Sequence, residues 1–144
     1  MFANDERGPT ALSDTETSPL DTHRTTVLVV EDNTALAALV QQQLALLGYR
    51  TITVGTADAA LQVLRSGARV DLLFSDIMLP GSLDGRSLAL AAQGLHPALP
   101  CLLTTGYEEL DSPTRRATEH VHVLAKPYRR AELARAVREA LARR

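Results

Sequence analysis

The sequence has little of what export, membrane insertion or disulfide stabilisation would require. Only 3% of the 144 residues are aromatic, none is tryptophan, and Cys101 is the one cysteine. A single cysteine excludes an internal disulfide, and its apolar surroundings predict a buried core residue. No stretch approaches the roughly 20 apolar residues of a bilayer-spanning helix, and the first residues lack the order of a signal peptide. We therefore expect a cytoplasmic protein with no membrane partner.

Charge of one sign is also lacking. The formal net charge is -2, with 45% hydrophobic and 22% charged residues, which is ordinary for a globular protein. Such a chain has no general attraction to nucleic acid or to anionic membranes, so no nucleic-acid partner is predicted. The length suits one folded domain.

The chain divides by composition near residue 24. Residues 1–24 are rich in Thr, Ser, Asp and Pro, with scattered apolar residues, and predict a flexible N-terminal tail. Residues 25–144 alternate apolar runs with amphipathic stretches, which predicts one domain with a parallel sheet covered by helices on both faces.

Five short apolar runs predict the strands, at residues 27–30, 50–54, 72–76, 101–105 and 121–124. Helices are predicted after each of them, and the one between the last two strands is expected to be short or irregular because Pro113 interrupts residues 108–120. The fold class is therefore α/β: a flavodoxin-like, doubly wound, five-stranded parallel sheet of order 2-1-3-4-5.

The first predicted helix has clear end signals. Asn33 is suited to cap its N-terminus, and Gly48 is suited to the position just past its C-terminus. Its apolar residues recur at helical spacing and predict one apolar face; they are Leu36, Leu39, Val40, Leu44 and Leu47.

Acidic residues stand at the ends of two predicted strands. Glu31 and Asp32 follow the first strand, and Asp76 ends the third. In this strand order, those ends meet at the switch point where ligands bind. Clustered carboxylates repel unless a cation lies among them, and hard oxygen ligands with retained water fit Mg²⁺. We expect Asp32 and Asp76 to ligate the metal, Glu31 to orient a metal-bound water, and the Met78 backbone carbonyl to complete the set.

The purely structural alternative is that each carboxylate only caps a helix or faces solvent.

Lys126, after the fifth strand and before a proline, can place its ammonium beside Asp76 or a phosphoryl group. A hydroxyl from Thr105 or Thr104 can reach the site, but strand alternation allows only one of the two to face it.

These segments together resemble the receiver domain of two-component response regulators. The matching stretches are VLVVED at 27–32, LLFSDIMLPG with DG at 72–85, LLTTGY at 102–107 and LAKPY at 124–128. The resemblance implies Asp76 as phosphoacceptor, Glu31 and Asp32 as the Mg²⁺-binding acidic pair, Thr105 as the switch hydroxyl and Lys126 as the phosphate-contacting lysine. Thr105 is preferred to Thr104 because the family places its hydroxyl residue directly before a small residue.

The implied function is a single-domain response regulator. A sensor histidine kinase or phosphotransfer protein would phosphorylate Asp76, and a changed surface would then bind a downstream protein, with a homodimer as a further possibility. Such a domain is not an enzyme, although it promotes its own phosphorylation and dephosphorylation. The alternatives are a phosphorylation-independent pseudo-receiver scaffold and an aspartate-nucleophile phosphotransferase. One departure from the family is Val123, which stands where receivers commonly carry an aromatic.

Overall fold

The computed structural model describes residues 25–106 and 121–142. The predicted tail and the predicted irregular helix at 108–120 lie outside the described residues. The strands are β1 (Thr26–Val30), β2 (Arg50–Val54), β3 (Leu72–Asp76), β4 (Cys101–Thr105) and β5 (His122–Ala125). The helices are α1 (Thr34–Leu46), α2 (Ala57–Arg65), α3 (Gly85–Leu95) and α4 (Arg130–Ala142).

The strands form one parallel sheet of order β2-β1-β3-β4-β5, as predicted. β1 is an interior strand between β2 and β3 and is buried along its whole length, which explains its continuous Val-rich run. The register places Val30 beside Ser75 and Asp76 beside Thr104. The C-terminal ends of β1, β3, β4 and β5 therefore lie along the same edge of the sheet.

Polar side chains cap the first turns of α1 and α2, and the cap of α1 is the predicted Asn33. Asn33 Oδ1 accepts a hydrogen bond from the Leu36 N–H at 3.0 Å, and Thr56 Oγ1 accepts from the Ala59 N–H at 3.1 Å. Each satisfies an N–H group that the first helical turn leaves without a partner. Beyond the C-terminus of α1, Gly48 has a φ of 96°, a conformation that glycine adopts without strain.

Two apolar layers cover the sheet, one on each face. One layer joins α2 and α3 to side chains of β1, β3 and β4 that include Leu28, Leu73 and Leu103. The other joins α1 and α4 to the alternate side chains, including Val29, Phe74 and Leu102. Alternation along each strand thus divides one set of apolar runs between two cores.

The predicted apolar face of α1 is buried only in part. Val40 and Leu44 lie in the core, but Leu36 is 44% exposed and Leu39 is 50% exposed. Helical spacing reports which side of a helix is apolar, but it does not report how far the neighbouring elements cover that side.

None of the helices in the described ranges combines the length and hydropathy that crossing a membrane requires.

Candidate functional site

The predicted site residues from three separate strands meet at one edge of the sheet. Glu31 follows β1, Asp76 ends β3 and Lys126 follows β5, and all three line the same cavity. By strand alternation, their side chains point toward the face that carries α1 and α4. The topology therefore brings together residues that are up to 95 positions apart in the chain (126 minus 31).

The Asp76 carboxylate is held by two donors. Lys126 Nζ donates to Oδ2 at 2.7 Å, and the Met78 N–H donates to Oδ1 at 3.1 Å. The side chain of Asp76 is 13% exposed and that of Lys126 is 34% exposed, so the ion pair is partly shielded from water. A charge-assisted hydrogen bond at this length fixes the carboxylate in one orientation. The Lys126–Pro127 peptide bond is cis.

Glu31 is the second carboxylate of the site. Burial raises the pKa of Glu31; the Asn33 N–H bond and Lys126 oppose this rise, while nearby Asp76 and Asp32 add to it. The Asn33 N–H donates to Glu31 Oε2 at 3.1 Å, and the Asp32 side chain is exposed. Burial is the main cause of the raised pKa, and the nearby negative charge of Asp76 is a smaller contribution to it.

The donor set fits Mg²⁺, which takes one or two carboxylates and keeps several waters. Within the described ranges, no three Asp, Glu, His or Cys residues are grouped closely enough to form a complete metal cage. Glu31 and Asp76 are the carboxylates that line the cavity, whereas direct ligation by Asp32 and by the Met78 carbonyl stays a prediction. The Met78 side chain is 63% exposed, and its backbone N–H is committed to Asp76.

The two candidate threonines of β4 point to opposite faces of the sheet. Thr104 pairs with Asp76 in register and lines the cavity, while Thr105 is buried on the other side of the strand. Thr105 lies one residue nearer the C-terminal edge, and its Oγ1 donates to the Gly106 carbonyl at 3.2 Å. Thr104 is therefore the one beside the Asp76 carboxylate, and the switch role of Thr105 stays a prediction.

Gly85 holds the start of α3 against β3, the strand that ends at Asp76. Its N–H donates to the Ile77 carbonyl at 2.7 Å. A Cβ at this position would overlap the Asp76 carbonyl oxygen and approach the Ile77 Cα to 2.8 Å. Only glycine allows the helix to come this close to the backbone of Asp76.

Tyr128 forms part of the wall beside the carboxylates. Burial raises the pKa of Tyr128 to about 12, and the charges of Glu31 and Asp76 contribute to the rise. Its ring also packs against the core between α1, α4 and the sheet. The hydroxyl therefore stays protonated at neutral pH and can donate a hydrogen bond.

Gly85 and Tyr128 were not among the predicted site residues, and Thr104 was the less favoured of the two candidate hydroxyl residues. A glycine directly after Asp84 was a visible signal, because glycine at the first position of a helix loses conformational entropy and needs a compensating reason. Tyr128 stands two residues beyond Lys126, yet an aromatic there is equally typical of a plain core position. Nothing local separates Thr104 from Thr105, because their difference depends on the strand register.

The chain matches the family model for the response regulator receiver domain over residues 27–138. It is 38% identical over 102 residues to response regulator protein FleR of Pseudomonas aeruginosa, covering 71% of this chain and 20% of that protein. It is 30% identical over 115 residues to the C4-dicarboxylate transport transcriptional regulatory protein DctD of Rhizobium meliloti, covering 79% and 25%. The chain thus spans a quarter or less of the length of these two relatives.

Solved structures agree with this assignment. The signal receiver domain of an HD domain-containing protein from Pseudomonas fluorescens superposes with a TM-score of 0.71 at 29% identity, covering 83% of this chain and 95% of that chain. The sheet order, the placement of Glu31, Asp76 and Lys126 at one edge, and the family match lead to one conclusion: the chain belongs to the response regulator receiver domain family of two-component signalling.

Proposed function

We propose that this domain accepts a phosphoryl group on the Asp76 carboxylate from the phosphohistidine of a sensor kinase or a phosphotransfer protein. The observation that carries the proposal is the contact of 2.7 Å between Lys126 Nζ and Asp76 Oδ2 at the switch-point edge of the sheet. The two residues are 50 positions apart, so the fold, and not local sequence, brings them together.

In the transfer, an Asp76 oxygen attacks phosphorus, and the bond from phosphorus to the donor histidine nitrogen breaks. The electron pair stays on the imidazole. The Lys126 ammonium is positioned to follow the new charge from the carboxylate to a phosphoryl oxygen, and the Met78 N–H keeps the other carboxylate oxygen in place. Mg²⁺, when bound by Glu31, Asp32 and Asp76, would neutralise charge on the transferring group.

The output is proposed to be a change in a protein-binding surface. A phosphoryl group extends outward from Asp76 past the end of β4, where Thr105 can donate to it. The Thr105 side chain lies on the same face of the sheet as Val123, which is 40% exposed. Since Val123 is not aromatic, we propose that the change reaches the surface through the backbone of β4 and β5 and not through an aromatic rotamer.

The test is phosphorylation with acetyl phosphate and Mg²⁺, followed by intact-mass measurement of three proteins. Wild type should gain the mass of one phosphoryl group. Asp76→Asn should gain none, and Asp58→Asn, which alters an exposed carboxylate on α2, should behave as wild type.

Phosphate that persists in Asp76→Asn would remove the proposed acceptor. A wild-type protein that takes up no phosphate from acetyl phosphate or from a phosphohistidine donor would favour the pseudo-receiver scaffold.

A further inference from the structure

An apolar cavity opens from the phosphoacceptor site between α1 and the segment that follows β5. Its volume is about 550 Å³. The polar end carries Glu31, Asp76, Lys126 and Thr104, and the other side chains that line the cavity are aliphatic or aromatic except for Gln43. This size and this combination of an apolar body with a few convergent polar groups are typical of small-molecule sites.

The walls of the cavity leave apolar surface uncovered. Leu36 and Leu39 of α1 are 44% and 50% exposed, and Val40 and Phe74 lie buried behind them. Tyr128 forms part of the lining on the other side. Covering the two leucines would remove apolar surface from water, which favours a ligand whose own body is apolar.

We propose that the cavity makes this domain prefer acyl phosphates with an apolar acyl chain over acetyl phosphate as small-molecule phosphodonors. The inference rests on the proposed function, because it concerns the donor for the same Asp76 carboxylate. The donor's phosphoryl group lies at the polar end, where Lys126 supplies positive charge, and its acyl chain lies against Leu36 and Leu39. A longer acyl chain buries more apolar surface in the cavity than the two-carbon group of acetyl phosphate can.

The reaction balances without a further reactant. An Asp76 oxygen attacks phosphorus, and the bond from phosphorus to the acyl oxygen breaks. The acyl group leaves as a carboxylate that carries the electron pair, so no proton transfer is needed. The cavity contributes binding of the donor, and the chemistry at Asp76 is unchanged.

The experiment compares hexanoyl phosphate with acetyl phosphate as donors, at concentrations where both are monomeric and after measuring their spontaneous hydrolysis. Phosphorylation of Asp76 is followed by intact mass, and second-order rate constants are taken from the initial rates. We expect wild type to react roughly tenfold faster or more with hexanoyl phosphate, since complete burial of one methylene contributes about fourfold.

Variants of α1 separate the cavity from other causes of such a preference. Leu39→Asn and Leu36→Asn should bring the ratio of the two rate constants toward one. Leu46→Asn is the matched control, because Leu46 is 65% exposed on the same helix and does not line the cavity. It should keep the wild-type ratio.

Binding without transfer supplies an independent measurement. Hexylphosphonate should bind wild type more tightly than methylphosphonate by calorimetry, and Leu39→Asn should abolish the difference. Equal rate constants for the two donors in wild type, or a preference that Leu39→Asn leaves intact, would overturn the proposal. If neither donor modifies Asp76, a phosphohistidine donor decides the proposed function, and the phosphonate comparison separately decides the preference of the cavity.

Discussion

Gly85 is a residue without a side chain that lies directly against the backbone of the proposed phosphoacceptor. Its N–H bonds the Ile77 carbonyl, and its Cα lies against the Asp76 backbone. The orientation of the Asp76 carboxylate therefore depends on α3 as well as on Lys126 and Met78. A carboxylate must be well oriented to attack phosphorus in line, so a displacement of Asp76 should lower the rate of phosphorylation.

Replacing Gly85 by alanine should lower both stability and the rate of phosphorylation. The added Cβ meets backbone atoms of Asp76 and Ile77, which cannot rotate away as a flexible side chain would. Overpacking of this kind costs about 1–3 kcal/mol, measured by urea denaturation. The rate with acetyl phosphate should fall as well, because α3 and the end of β3 must separate.

Gly94→Ala provides the matched control in the same helix. A Cβ at Gly94 meets nothing within 4 Å. Alanine is the better helix former, so this variant should gain about 0.5–1 kcal/mol and should keep the wild-type rate. Equal effects of the two substitutions on stability and on the phosphorylation rate would show that the contact of Gly85 with Asp76 does not affect function.

The positions of individual site residues could be predicted because they stand at the ends of strands, and those ends are visible in the sequence. Glu31, Asp76 and Lys126 each follow or end a short apolar run, so the sheet edge they share follows from the strand order. The contact of Gly85 with Asp76 could not be predicted, because it depends on the path of the loop between β3 and α3.

The helices illustrate how local signals set the ends of an element. Asp84 caps α3: its Oδ1 accepts from the Ser87 N–H at 2.8 Å. Burial alone would raise the pKa of Asp84, but the hydrogen bonds from Ser87 and the charge of Arg86 outweigh burial and lower it. A carboxyl whose pKa is lowered by folding stabilises the protein above its ordinary pKa, and this contribution is lost as the pH falls.

Removing this cap with Asp84→Ala should cost about 1 kcal/mol of unfolding free energy at pH 7. The difference from wild type should shrink as the pH falls below the ordinary value of 3.8, because Asp84 is then protonated in the unfolded state and, once the pH passes its lower folded-state pKa, in the folded state as well. Urea denaturation at pH 7 and near pH 3 measures both quantities. Asp58→Ala, an exposed first-turn carboxylate of α2 that is not its N-cap, should cost less; an equal cost would contradict the capping role.

The ends of the elements were predictable because their causes are local. Asn33, Thr56 and Gly48 act within one turn of their own helices, so their roles can be inferred from the sequence. The partial exposure of Leu36 and Leu39 could not be inferred, because it depends on how α1 lies relative to the segment after β5. The cavity is a property of two elements that are distant in sequence.

At the scale of the whole molecule, the sheet order determines where charge gathers. The order β2-β1-β3-β4-β5 places the ends of β1 and β3 side by side, so Glu31 and Asp76 share one edge. Their mutual repulsion contributes to the raised pKa of Glu31, and Lys126 offsets it only in part. We therefore propose that a divalent cation would relieve this repulsion and that Lys126 would then help to hold a phosphoryl group at the same edge of the sheet.

Chemical trapping tests the acceptor role of Asp76 most directly. The protein is phosphorylated with acetyl phosphate, either with Mg²⁺ or with EDTA, and then reduced with borohydride, which converts an aspartyl phosphate to homoserine. Peptide mass mapping should find homoserine at position 76 in the Mg²⁺ sample and little or none in the EDTA sample. Homoserine at another position, or equal labelling at residue 76 without the metal, would contradict a metal-assisted phosphoacceptor at Asp76.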